Sequence, residues 1–154
     1  VIIMREFNST EEILDFAIGE EQAAADFYTN LADQVNSSAV RRMFLEFSEE
    51  ELQHKNKLEN IKMGSLEFLP TAAVVDLGLG EILVDVAPTG GMDYQDALIL
   101  AMKKEKAAYQ MYTLLAGVAS DPAVRDLLKG LANQEANHKL RFEIEYDDHV
   151  LKED

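Results

Sequence analysis

Two of the three histidines in this chain have a glutamate three residues before them: Glu51-Leu52-Gln53-His54 and Glu135-Ala136-Asn137-His138. Residues three apart share one face of an α-helix, so each pair aims a carboxylate and an imidazole at one region of space. Two further glutamates, Glu21 and Glu105, belong to the same pattern through an internal repeat. Shifting the first half by 84 positions superimposes it on the second half without a gap. Ala17, Glu21, Ala24, Tyr28 and Leu31 then meet Ala101, Glu105, Ala108, Tyr112 and Leu115, and Arg41, Glu51, His54 and Lys55 meet Arg125, Glu135, His138 and Lys139. Carboxylate and imidazole donors of this kind suit iron or manganese.

The seams that carry these residues are otherwise apolar. Leu14, Ala17, Glu21, Ala24, Tyr28 and Leu31 are spaced alternately three and four apart, as are Phe44, Phe47, Glu51, His54, Leu58 and Ile61. That spacing faces a bundle core. Four carboxylates brought together there each lose several kcal/mol on desolvation, and they repel one another as well. No lysine or arginine lies on these seams to offset the charge. Two divalent cations carry +4 and balance Glu21, Glu51, Glu105 and Glu135, while His54 and His138 add neutral nitrogen ligands. The competing reading is a metal-free bundle whose Glu–His pairs make buried hydrogen bonds. Ala24 and Ala108, one turn beyond their glutamates, keep space open beside the cluster.

Four helices must position these groups, at about 9–35, 37–63, 93–117 and 121–146. Ser9 with Glu12 forms a capping box, and Asp121 with Pro122 gives an N-cap followed by a proline at the first helical position. Short turns join the first two helices and the last two, making two antiparallel hairpins. The connection 64–92, with Pro70, Gly78, Gly80 and Pro88, is long enough to travel the length of a helix. The expected architecture is therefore all-α: a single domain over 1–154, a four-helix bundle with one long crossover. The acidic stretch from Asp147 to Asp154 is expected to fray.

Composition removes several classes of function. The chain has 154 residues, with 29 acidic against 14 basic and a formal charge of −15, which repels nucleic-acid phosphates and anionic membranes. With no cysteine there is no thiolate zinc site, iron–sulfur cluster or thiol nucleophile. The longest apolar run is far short of a membrane span. Val1-Ile2-Ile3-Met4 lacks the features of a signal peptide, and a cytoplasmic location is expected.

With these residues in place, the chain resembles the rubrerythrin family within the ferritin-like di-iron carboxylate superfamily. A Glu on each of two helices and a Glu-x-x-His on each of the other two is the pattern of that superfamily. The resemblance implies that Glu51 and Glu135 bridge two iron ions, with manganese or zinc as substitutes. Glu21 and Glu105 would be terminal ligands, and His54 and His138 would take one metal each. It further implies an oxidoreductase reacting with hydrogen peroxide or dioxygen in oxidative-stress defence, working as a homodimer. Ferroxidase or iron-handling activity and a metal-stabilised structural or binding bundle are the alternatives. Two departures stand out. The rubredoxin module of full-length rubrerythrins is absent, so electrons would come from a separate donor such as a rubredoxin-like protein. Ala108 also stands where the family carries a second glutamate on the third helix.

Tyr28 and Tyr112 lie two turns from Glu21 and Glu105 on the same seams. They fit as partners of a ligand carboxylate, as redox residues beside the ligands, or as large core residues with a satisfied hydroxyl. Glu20 and Glu50 point about 100° away from their ligand neighbours and are expected to be solvated. His149 has no partner at ligand spacing and is expected to be exposed. Lys103, Lys104 and Lys106 read as a solvated face, with docking of an acidic electron donor as the alternative.

Overall fold

The structure is a computed structural model that describes Phe7, residues 9–63 and residues 93–149, the last by its backbone only. Four helices make up the described residues: α1 (Thr10–Gln34), α2 (Ser38–Met63), α3 (Tyr94–Val118) and α4 (Pro122–His149). The expected long crossover at 64–92 and the expected fraying of 150–154 lie outside the described residues. None of the described helices is long and apolar enough to cross a membrane.

Local chemistry explains where the helices begin. Ser9 caps α1 by accepting from the Glu12 amide at 3.2 Å, and Asp93 caps α3 by accepting from the Asp96 amide at 2.8 Å. The two inter-helix turns are built alike, as the repeat requires. Ser37 and Asp121, equivalent under the shift, accept from the amides of Val40 and Val124 at 3.4 and 3.1 Å. Arg41 then donates to the carbonyls of Ala32 and Val35, and Arg125 donates to Ala119, the equivalent of Val35. Each arginine thus satisfies carbonyls at the end of the preceding helix, where a positive charge also suits the helix dipole.

One expectation is corrected at the other end of the molecule. Residues 147–149 continue α4 instead of fraying. The hydroxyl of Tyr94 donates to Glu145 at 2.6 Å, and Gln95 donates to the Tyr146 hydroxyl at 3.3 Å. These bonds tie the last turns of α4 to the start of α3.

Helix backbones come closest within the α1/α2 and α3/α4 hairpins. Between the hairpins, long side chains fill the interior in two apolar clusters. One joins the start of α1 and the end of α2 to the end of α3 and the start of α4, through residues such as Leu14, Leu58, Leu115 and Leu128. The other gathers Tyr28, Leu31, Phe44, Phe47, Leu98 and Phe142 at the opposite end. It follows that α2 and α3 run parallel, with the end of α2 and the start of α3 at opposite ends of the bundle. Between the two clusters lies the layer of Glu21, Glu51, His54, Glu105, Glu135 and His138.

Candidate metal centre

All four glutamates of this layer are at most 1% exposed, and His54 and His138 are buried with them. Each sits at mid-helix, where the backbone is already hydrogen-bonded and the side chain alone meets the core. Two overlapping groups of ligand atoms result, each lying within 4.8 Å of one another: Glu21, Glu51, His54 and Glu135, and Glu51, Glu105, Glu135 and His138. Glu51 and Glu135 belong to both groups. The other four belong to one each.

Distances give the arrangement its shape. His54 Nδ1 lies 3.1 Å from Glu135 Oε1, 3.5 Å from Glu51 Oε1 and 3.6 Å from Glu21 Oε2. His138 Nδ1 lies 3.4 Å from Glu51 Oε1, 3.5 Å from Glu105 Oε1 and 3.8 Å from Glu135 Oε2. The two imidazole rings are nearly parallel, 6.0 Å apart between centroids. Two tyrosines cross from one hairpin to the other. The hydroxyl of Tyr28 on α1 donates to Glu105 on α3, and that of Tyr112 on α3 donates to Glu21 on α1. Both hydroxyls therefore bond carboxylates of the cluster from fully buried positions in the core.

The electrostatics are those of a cluster that binds protons strongly. Burial, followed by the charge of Glu51, pushes Glu21 up to about 7. Burial and the charge of Glu135 do the same for Glu51, also to about 7. Glu105 and Glu135 are raised well above the usual carboxylate range, again chiefly by burial. Burial works against a charged His54, but hydrogen bonds with Glu135 and Glu21 outweigh it and hold the imidazole at about 10. His138 is raised against the same opposition, by Glu51 and Glu135 among others. Tyr28 and Tyr112 are raised by burial and by the carboxylates they touch, so both stay protonated donors.

Whether these residues fit metal ions can be tested on their unsatisfied atoms. Glu21 Oε2, Glu51 Oε1, Glu105 Oε2, Glu135 Oε2 and His138 Nδ1 are all buried and make no hydrogen bond. Buried polar atoms are normally paired, and five orphans converging on one layer are costly unless a cation joins them. The donor set fits two divalent ions. Access to the layer differs on its two sides. Between α1 and α3, beside Ala24 and Ala108, about 20 Å³ of space is open to a water molecule, enough for one. Between α2 and α4 a larger polar groove runs past both histidines, with Glu50, Lys57, Gln134 and Arg141 in its walls.

Comparison with known proteins agrees with this architecture. The family model described as Rubrerythrin matches residues 12–73, a stretch that takes in most of α1 and all of α2. The chain superimposes on a protein from Thermotoga maritima described as ferritin-like diiron-carboxylate, with a TM-score of 0.69, 18% identity, and 94% of this chain and 98% of that one covered. The fold is ferritin-like, and its first hairpin is similar to the Rubrerythrin family model. A hypothetical protein from Pyrococcus furiosus gives a TM-score of 0.64 at 24% identity, covering 89% of this chain and 87% of that one. The manganese catalase KatB from Anabaena also gives 0.64, at 19% identity, with 97% and 77% covered. None of the curated proteins compared matches the chain.

Two residues off the seams behave differently from expectation. Glu20 is partly buried and lines the small space beside Ala24. Glu50 is not simply solvated: its Oε2 is buried and lies 2.7 Å from His138 Nε2. Helical geometry does turn Glu50 away from Glu51, but the facing helix α4 brings the outer edge of the His138 ring to meet it. The sequence carried one signal of this difference, since the repeat equates Glu50 with Gln134. Lys104 lies over the Phe27 ring, 5.5 Å from its centroid. The side chain of His149 is outside the described residues.

Proposed function

We propose that this protein is a di-iron oxidoreductase of the rubrerythrin type, reducing hydrogen peroxide or dioxygen with electrons from a separate donor. The observation that carries the reading is the pair of four-ligand groups sharing Glu51 and Glu135. In this reading Glu51 and Glu135 bridge two metals. Glu21 and His54 complete one site, and Glu105 and His138 the other. Two iron ions bound there would supply redox equivalents and Lewis-acid polarisation to the oxidant.

The chain's own residues have three tasks. Six ligands fix the positions of the ions in a layer sealed at both ends by apolar side chains. Tyr28 and Tyr112 orient the terminal carboxylates across the hairpin interface and keep protons at their hydroxyls, close to where oxygen is reduced. Ala24 and Ala108 leave the opening beside Glu21 through which a small oxidant reaches the layer. Ala108 offers a methyl group where a peroxidase rubrerythrin has a carboxylate, so this position of α3 would supply no further ligand, and Glu20 is the remaining non-ligand carboxylate lining the same opening. A separate donor is part of the proposal: these two are the only groups of metal ligands among the described residues, and electrons would reach them from outside the layer.

The test is anaerobic loading with Fe(II), and in parallel with Mn(II), followed by rapid mixing with peroxide and with dioxygen. Oxidation of the loaded iron by either oxidant within seconds supports the reading. Inertness of the fully loaded protein toward both would reduce it to a metal-stabilised bundle.

A further inference from the structure

The internal repeat makes the two halves of the metal centre alike in their ligands, so departures from it next to the ligands are informative. Two such departures meet at His138. Glu50 stands where the repeat places Gln134, and Phe47 stands where it places Leu131. In the structure both touch the same ring. Phe47 stacks on His138 with centroids 4.3 Å apart and planes 16° from parallel, and the Arg141 guanidinium covers Phe47 at 4.4 Å. Glu50 Oε2 lies 2.7 Å from Nε2 on the edge of the ring that faces away from the cluster, an ion-pair contact, and this buried oxygen has no hydrogen-bond partner.

We propose that Glu50 is a positioning residue for His138 and that it makes the two metal positions unequal, the one at His138 being the tighter. The inference rests on the di-metal reading above and goes beyond it, since that reading treats the two halves as equivalent. An imidazole that gives one nitrogen's lone pair to a metal must carry its proton on the other. His138 Nδ1 faces Glu51, Glu105 and Glu135 at 3.4 to 3.8 Å, so Nδ1 is the ligand and Nε2 holds the proton. A carboxylate at Nε2 selects that tautomer, fixes the ring and makes Nδ1 a stronger donor. Phe47 and Arg141 restrict the ring to the plane that Glu50 addresses. His54 lacks this support, because the groove residue equivalent to Glu50 is Gln134, whose neutral amide cannot supply the charge.

The experiment is an anaerobic Co(II) absorbance titration of metal-stripped protein, with folding checked by circular dichroism. Wild-type protein should take up two ions in two resolved steps. Glu50→Gln should weaken the tighter step by about 10- to 100-fold, the usual effect of losing such a partner, and leave the other nearly unchanged. Gln134→Glu should tighten the weaker step, and the double exchange should transfer the advantage to His54. Nitrogen-15 NMR of the Zn(II)-loaded protein should show a protonated Nε2 on His138 whose signal shifts in Glu50→Gln. Two ions bound in wild-type protein, with both steps unmoved by Glu50→Gln and by Gln134→Glu, would overturn the role of Glu50 while leaving the di-metal centre standing. Failure of wild-type protein to bind two ions would overturn the centre itself, and this inference with it.

Discussion

Replacing Glu51 with Gln should make the metal-free protein more stable and the metal-binding protein useless, and the two effects have one cause. Glutamine keeps the shape of the side chain but cannot ionise. Glu51 is raised from 4.5 to about 7 by burial and by Glu135, so its charged form is disfavoured in the fold. At pH 8, where it is ionised in both states, that costs about 3 kcal/mol, at ~1.4 kcal/mol per pH unit. A raised carboxyl binds its proton more tightly in the folded chain. The cost is therefore absent below the unfolded value of about 4.5 and fully present once the pH has risen through about 7. Urea unfolding of the metal-stripped proteins, followed by circular dichroism, reads the difference. Glu51→Gln should exceed wild-type stability by about 3 kcal/mol at pH 8 and by under ~0.5 kcal/mol near pH 4.5. The same variant should retain neither metal, because Glu51 serves both ligand groups. A variant less stable than wild type at pH 8, or a gain of equal size at both pH values, would show that Glu51 does not stand charged in a crowded core.

Other residues give further expectations. Metal-stripped wild-type protein should lose stability steadily as pH rises from about 4.5 to 10, since Glu21 and Glu51, at about 7, and His54, at about 10, all bind protons more tightly when folded; metal should flatten the profile near neutral pH, and a flat profile without metal would contradict the clustering. Glu21→Ala should cost one metal per chain and Glu135→Ala both, as read by metal analysis after desalting; equal losses would refute the division into shared and single ligands. Tyr28→Phe should preserve metal content but slow oxidation of the loaded iron, and an unchanged rate in stopped flow would leave Tyr28 a packing residue. Ala108→Leu should fill the opening beside Glu21 and slow oxidation by at least about tenfold without loss of metal, whereas an unchanged rate would direct the oxidant to the groove between α2 and α4 instead.

The sequence made the helices and the six-residue layer legible for a physical reason: both obey a periodicity. Apolar spacing of three and four marks each seam, and Glu21, Glu51, His54, Glu105, Glu135 and His138 interrupt it at one level. The start of α4 was equally readable, because Asp121 precedes Pro122 and accepts from the amide of Val124. Contacts between hairpins were not readable, since no spacing along one helix says which residue of another it meets. Glu50 illustrates this, because its partner His138 approaches from α4. So do the crossed bonds from Tyr28 to Glu105 and from Tyr112 to Glu21, which join residues 77 and 91 positions apart. The three extra residues of α4 were hidden for the same reason, since they follow directly on Glu145 and Tyr146, which accept bonds from Tyr94 and Gln95 at the start of α3.

The central claim is two metal ions held side by side by shared carboxylates. X-ray absorption on protein loaded anaerobically with Fe(II), together with metal analysis, measures it directly. The account predicts two ions per chain, a first shell of oxygen and nitrogen only, and a metal–metal vector at about 3.5 to 4 Å. One ion per chain, or two ions with no such vector, would contradict it.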